Sequence, residues 1–126
     1  MNGKTILILT GISGALAVGL GAFGAHGLEA LLTQNGRLDT FQTAVSYHFY
    51  HTLLLLGVGI LALAKPQWKG YSAITWLVLV GICFFSGSLY VLSLTGITWL
   101  GAIAPIGGLA FILAWTSLIY LAVKNT

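Results

Sequence analysis

The chain has 126 residues, of which 58% are hydrophobic and only 6% charged, and its mean hydropathy is +1.00. So few charges cannot cover a water-exposed surface, which excludes an ordinary soluble domain and makes lipid the solvent for most of the chain. The net charge of +3 does not indicate nucleic acid, because the lysines are scattered and no basic run carries interleaved aromatics.

A helix crossing a bilayer needs about 20 apolar residues. The first span is expected over 5–25. Lys4 followed by ILILTGISGALAV also fits a secretory signal, with a weak cleavage pattern at Ala15 to Ala17. The rest of the chain is equally apolar, so a first span is the preferred reading. Along it Gly14, Ala17, Gly21 and Gly24 recur every three or four residues. Such a seam lets helix backbones approach closely in lipid, either inside the monomer or in a homodimer. Four short-looped helices need the internal interface first.

Leu28, Leu31 and Leu32 then fall at helical spacing with Glu29 on another face, and Asn35-Gly36 supplies a stop. This predicts a short amphipathic helix at the membrane interface. Asp39 or Thr40 is expected to cap the second span, 41–64, which Lys65-Pro66 ends. A third span, 71–94, and a fourth, 102–123, share the run from Gly70 to Val123 that carries no formal charge. Thr95-Gly96 separates them, and Gly101 with Pro105 marks the start of the fourth. The predicted fold is therefore all-α: a polytopic membrane protein with four transmembrane helices in a compact bundle, forming one integral membrane domain over 1–126. Cys83 is the single cysteine, which rules out an internal disulfide and any cysteine metal motif.

With four spans, Lys4, Lys65, Lys69 and Lys124 share one side and Arg37 stands on the other. The positive-inside bias then places both termini in the cytoplasm. Trp68, Tyr71 and Trp76 sit near the inner boundary and Trp99 near the outer one, where amphipathic rings anchor a span. No internal repeat relates the two halves, which weakens an inverted-repeat transporter.

The outer half of the bundle gathers a candidate polar pocket: His26, Tyr47, His48, His51, Ser86, Ser88 and Tyr90, with Tyr50 nearby. Buried imidazoles at that depth are expected to be neutral, to face the bundle and to find one donor and one acceptor each. Three roles stay open. A polar staple would bond the histidines to serine hydroxyls and to carbonyls freed around Gly24 or Pro105. The His26-x-x-Glu29 and His48-x-x-His51 pairs present metal-ligand types, but no cysteine or second carboxylate joins them, so neither metal nor other cofactor is assigned. A proton or solute path is the third, although Leu53 to Ala64 offers nothing polar to continue it. No nucleophile, base and carboxylate stand at catalytic spacing, so no catalytic residue is assigned and an enzyme is not expected.

Four segments in order, GAFGAHGL (Gly21 to Leu28), Phe41 to His51 ending in Tyr-His-x-x-His, FSGSLY (Phe85 to Tyr90) and APIGG (Ala104 to Gly108) followed by Trp115, resemble the YgdD/YwdK-like family. These are small bacterial inner-membrane proteins of unknown function with mitochondrial transmembrane relatives. The resemblance spans essentially the whole chain and implies a four-span bundle, but brings no reaction, substrate or catalytic residue. Two functions are expected to compete. One is a non-catalytic module that assembles with or modulates a membrane complex, its partners being the bilayer and another membrane protein or a second copy. The other is a carrier or channel for a small neutral solute, proton or lipid.

Overall fold

In hydrocarbon an exposed backbone must bond to itself, so the four apolar stretches have to be helices. The computed structural model describes residues 1–126 and contains four helices of membrane length: Gly3–Ala25, Leu38–Ala64, Tyr71–Thr95 and Thr98–Asn125. The first is α1, Gly3–Ala25, and the second long helix is α3, Leu38–Ala64; between them lies the six-residue α2, Glu29–Gln34. The third span joins α4, Tyr71–Gly81, to α5, Ser88–Thr95, through a π-helical segment, Ile82–Gly87. A 3₁₀ turn, Thr98–Ala102, leads into α6, Ala104–Asn125, with Pro105 in its first turn.

Local chemistry fixes most boundaries. Asn2 caps α1, its Oδ1 accepting the Thr5 N–H at 2.9 Å. Helix α5 stops at Gly96, whose φ of 73° puts it in the left-handed conformation that suits a helix end. The expected cap of α3 is corrected: the helix begins at Leu38, three residues early, and Arg37 occupies the cap position without a side-chain bond. Asp39 and Thr40 instead lie inside the first turn, where the Asp39 carboxylate faces the positive end of the helix.

Helix α2 is anchored to the bundle. Leu32 is fully buried while Leu31 stays exposed. The Asn35 amide donates to the carbonyls of Ser93 at 3.1 Å and Leu94 at 3.5 Å. Those carbonyls belong to the last turn of α5, where a helix runs out of its own donors, so Asn35 ties the α2 corner onto the end of the third span.

Helix α3 is the hub. α1 lies along one flank of it, and α4, the π-segment and α5 pack on another, with α6 seated chiefly on α4 and the π-segment. Ile6, Leu55, Val58, Ile74, Val78 and Leu121 make an apolar core to which all four spans contribute. On the outside Ile12, Leu16, Ile60, Trp76, Ile112 and Ile119 are exposed. Lipid does not drive such side chains inward, so the outer surface can be as apolar as the core.

Two notches set helix positions near the outer end. A Cβ on Gly24 would strike the Phe41 ring, and one on Gly107 would strike the backbone of Phe84 and Phe85. α1 therefore closes onto the start of α3, and α6 meets the π-segment backbone to backbone.

Candidate functional site

His48 and His51 are one turn apart on the inner face of α3, and only 4% and 5% of their surface is exposed. A buried imidazole in a membrane has to find its partners inside the protein. The two rings find very different ones.

His48 is set in a chain of hydroxyls. Its Nδ1 is 2.9 Å from the Tyr90 hydroxyl and its Nε2 is 3.1 Å from Ser13 Oγ. Ser13 Oγ is 2.6 Å from Thr52 Oγ1, and Thr52 donates to the His48 carbonyl at 2.8 Å. Each hydroxyl has one hydrogen, and a carbonyl only accepts. The Thr52 hydrogen is thus committed to the carbonyl, so Ser13 donates to Thr52, and the Ser13 oxygen accepts from His48. His48 is accordingly the Nε2–H tautomer, with Nδ1 accepting from Tyr90. All the bonds run one way, from Tyr90 through His48 and Ser13 to Thr52, and the chain ends on a backbone carbonyl.

His51 is held by groups that admit no choice. Its Nδ1 lies 2.7 Å from the carbonyl of Tyr47, one turn earlier, and its Nε2 receives the Trp115 indole N–H at 3.1 Å. A carbonyl accepts and an indole N–H donates, so His51 is neutral with its hydrogen on Nδ1. Its ring also stacks on Phe111, with centroids 3.5 Å apart and planes 11° from parallel. Phe111 fits because Gly81 has no side chain: a Cβ there would enter the Phe111 ring.

Of the rest of the expected pocket only Tyr47 meets these rings, stacked on His51 with centroids 6.1 Å apart and planes 17° from parallel. Ser86 is buried but donates to the Ala44 carbonyl of α3 at 2.7 Å, and Ser88 donates back to Phe84 and Phe85 of its own span. Tyr47 is exposed, with its ring against Phe85 at 4.8 Å, and Tyr50 is exposed as well. His26 stands exposed beyond the end of α1 and joins neither network. The carbonyl that holds a histidine is that of Tyr47, not one freed near Gly24 or Pro105. Nor do three His, Cys, Asp or Glu side chains come together anywhere in the chain, so the His-x-x-Glu and His-x-x-His pairs build no shared ligand set.

Ser13, Thr52, Phe111 and Trp115 are the partners that sequence reasoning misses. A signal for Ser13 is present: Ile6, Thr10, Ser13, Ala17 and Gly24 fall at helical spacing and form the buried stripe of α1. The small residues belong to the same side. Ala17 is buried, Gly21 lies where a Cβ would be 3.2 Å from Val45 Cγ1, and Gly14 where it would be 3.5 Å from Thr52 Cγ2. This seam faces α3.

Chemically the arrangement is a set of ties. Ser13 joins α1 to α3, Tyr90 joins α3 to α5, and Trp115 joins α3 to α6. No buried side-chain nitrogen or oxygen is left without a hydrogen-bond partner. Hydrogen bonds between membrane helices contribute about 0.6 kcal/mol each on average and up to about 1.7.

The family described as "Protein of unknown function (DUF423)" matches residues 20–108. The chain is 47% identical over 124 residues to the UPF0382 membrane protein YwdK of Bacillus subtilis, covering 96% of this chain and 98% of the relative. It is 45% identical over 119 residues to a UPF0382 membrane protein of Staphylococcus saprophyticus, covering 92% and 94%. A UPF0382 membrane protein of Haemophilus influenzae is 39% identical over 119 residues, 94% of each chain. No solved structure matches the chain. Four membrane-length helices and these likenesses along nearly the whole sequence place the protein in the DUF423/UPF0382 family of small multi-pass membrane proteins.

Proposed function

We propose that this protein is a non-catalytic membrane module that assembles with or modulates a membrane complex, with both termini on the cytoplasmic side of a bacterial plasma membrane. The observation that carries this reading is that both buried histidines spend both ring nitrogens on the chain's own groups, and every buried side-chain nitrogen and oxygen has a partner within the chain. What the molecule offers outward is apolar. Between α3 and α6 a lateral groove of about 770 Å³ opens toward lipid, lined by Tyr50, Leu53, Gly57, Leu61, Trp115 and Leu118 among others. Helices associate in lipid through close contact, and a notch of this kind suits a partner's transmembrane helix. The orientation rests on the four lysines at one end of the bundle.

A carrier or channel draws on the hydroxyl and imidazole chain at His48. Against it, that chain ends on a carbonyl, and the layer below holds Leu55, Val58, Ile74 and Val78.

Gly57 provides the test, because a Cβ there meets nothing within 4 Å, so a bulky residue fills the groove without disturbing the fold. The tagged wild type is expected to purify from membranes with a stoichiometric membrane-protein partner. Gly57→Trp should lose that partner while melting at the wild-type temperature. Equal recovery of the partner with Gly57→Trp, or no partner with either protein, would sink the proposal. A C-terminal tag cleaved by protease added to intact cells would overturn the orientation.

A further inference from the structure

The lysine-bearing end of the bundle holds a second cavity, remote from the histidines. Its volume is about 540 Å³, inside the range of about 300–1,000 Å³ usual for ligand sites. Asn2, Gly3 and Lys4 of the α1 start form one wall, and Pro66, Trp68 and Tyr71 of the α3–α4 corner form another.

Packing explains why the two walls face each other. A Cβ on Gly3 would come within 2.9 Å of the Gly59 carbonyl and 2.7 Å of Leu63, so the first turn of α1 is pressed onto the last turns of α3. The Tyr71 hydroxyl contacts the carbonyls of Lys65 at 2.9 Å and Leu61 at 3.2 Å, which clamps the corner as the chain turns into α4.

The charge on this end has one sign among the side chains. Lys4, Lys65, Lys69 and Lys124 all lie here, whereas both acidic residues, Glu29 and Asp39, are at the opposite end with Arg37. Lys65 and Lys69 flank Pro66 and Trp68 on the corner that lines the cavity. Asn2 takes the Thr5 N–H, and the N–H groups of Gly3 and Lys4 have no acceptor in the chain. The cavity thus combines a lysine, two free amides at the positive end of a 23-residue helix, and two aromatic rings of the type that settles at a membrane boundary.

We propose that this cavity binds the phosphate of an anionic phospholipid headgroup, with Lys4 and the free amides as its donors and Trp68 along the junction with the acyl chains. A zwitterionic headgroup fits less well, because its ammonium group would meet the lysines. The site stands apart from the proposed assembly role and survives its failure.

The test is native mass spectrometry of the full chain in detergent, titrated with phosphatidylglycerol or phosphatidylcholine. Phosphatidylglycerol should bind in preference. Lys4→Gln should weaken it about fivefold, the equivalent of about 1 kcal/mol for one basic residue at an anionic surface. Lys4→Arg should restore binding, and Lys124→Gln, at the same end but outside the cavity, should leave it nearly unchanged. Equal losses in Lys4→Gln and Lys124→Gln, or equal binding of the two lipids, would reduce the effect to general surface charge and overturn the site. Displacement of phosphatidylglycerol by millimolar inorganic phosphate, with the same dependence on Lys4, would make free phosphate the ligand and overturn the lipid assignment.

Discussion

His48 and His51 sit one turn apart on the same face of the same helix, yet they carry their hydrogens on opposite ring nitrogens. The difference lies in the partners. His48 is surrounded by Tyr90, Ser13 and Thr52, each a hydroxyl that can donate or accept, and its tautomer is set only because the last hydroxyl in the chain is committed to a carbonyl. His51 lies between a carbonyl and an indole N–H, neither of which can change role. Reversing the first network takes rotation of the hydroxyls together with transfer of the ring hydrogen from Nε2 to Nδ1 and loss of the Thr52 bond to the carbonyl, whereas a second hydrogen on His51 would set two N–H groups against each other. Depth and spacing are nearly the same for both residues, so the chemistry of a buried histidine here is decided by what the neighbouring helices bring to it.

The sharpest way to break this comparison is to remove the ring with fixed partners. His51→Ala deletes the stack on Phe111 and leaves the Trp115 N–H without its acceptor, and the expected loss is about 3 kcal/mol. Unfolding in mixed micelles would measure it. A variant as stable as the wild type would end the view of His51 as a tie between α3 and α6.

The hydroxyl side should respond more weakly. Ser13→Ala removes the acceptor of His48 Nε2–H, but Thr52 keeps its own bond to the His48 carbonyl, so a loss of about 1 kcal/mol is expected. Combined with Trp115→Phe, the two losses should add, because no hydrogen bond links the networks. Strong coupling between Ser13 and Trp115 would show that the two rings work as one site.

The smallest perturbation sharpens the comparison most. Nitrogen-15 NMR of labelled histidine in lipid should find His48 protonated at Nε2 and His51 at Nδ1. The same tautomer at both positions would contradict the one-way run of donors from Tyr90 to Thr52. Tyr90→Phe, which takes away the hydrogen received by His48 Nδ1, should shift the His48 signals and leave those of His51 in place.

Much of the architecture is legible in the residues because lipid imposes strict rules. Lys65-Pro66 and Thr95-Gly96 break the apolar runs where helices must end, and the observed spans differ from the expected ones by a few residues at their starts and ends. The α3 start is less legible because Asp39 and Thr40 are good caps by type, yet the helix has already begun at Leu38. The site is less legible still. Grouping polar residues by depth gathers His26, Ser86 and Ser88 with the two buried histidines. Depth says nothing about direction, and those three point to solvent, to Ala44 and to their own helix turn respectively.

Composition and the order of breaks were enough to make this chain a four-span helical membrane protein, since backbone groups in hydrocarbon have no partners except those within a helix. The tertiary structure alone decided which side chains meet: Ser13 comes to His48 and Trp115 to His51 because Gly24, Gly81 and Gly107 let particular helices and rings close on one another. Hydrogen bonding depends on ångström-scale distance and on which group donates, and neither is recorded in the spacing of residues along a chain.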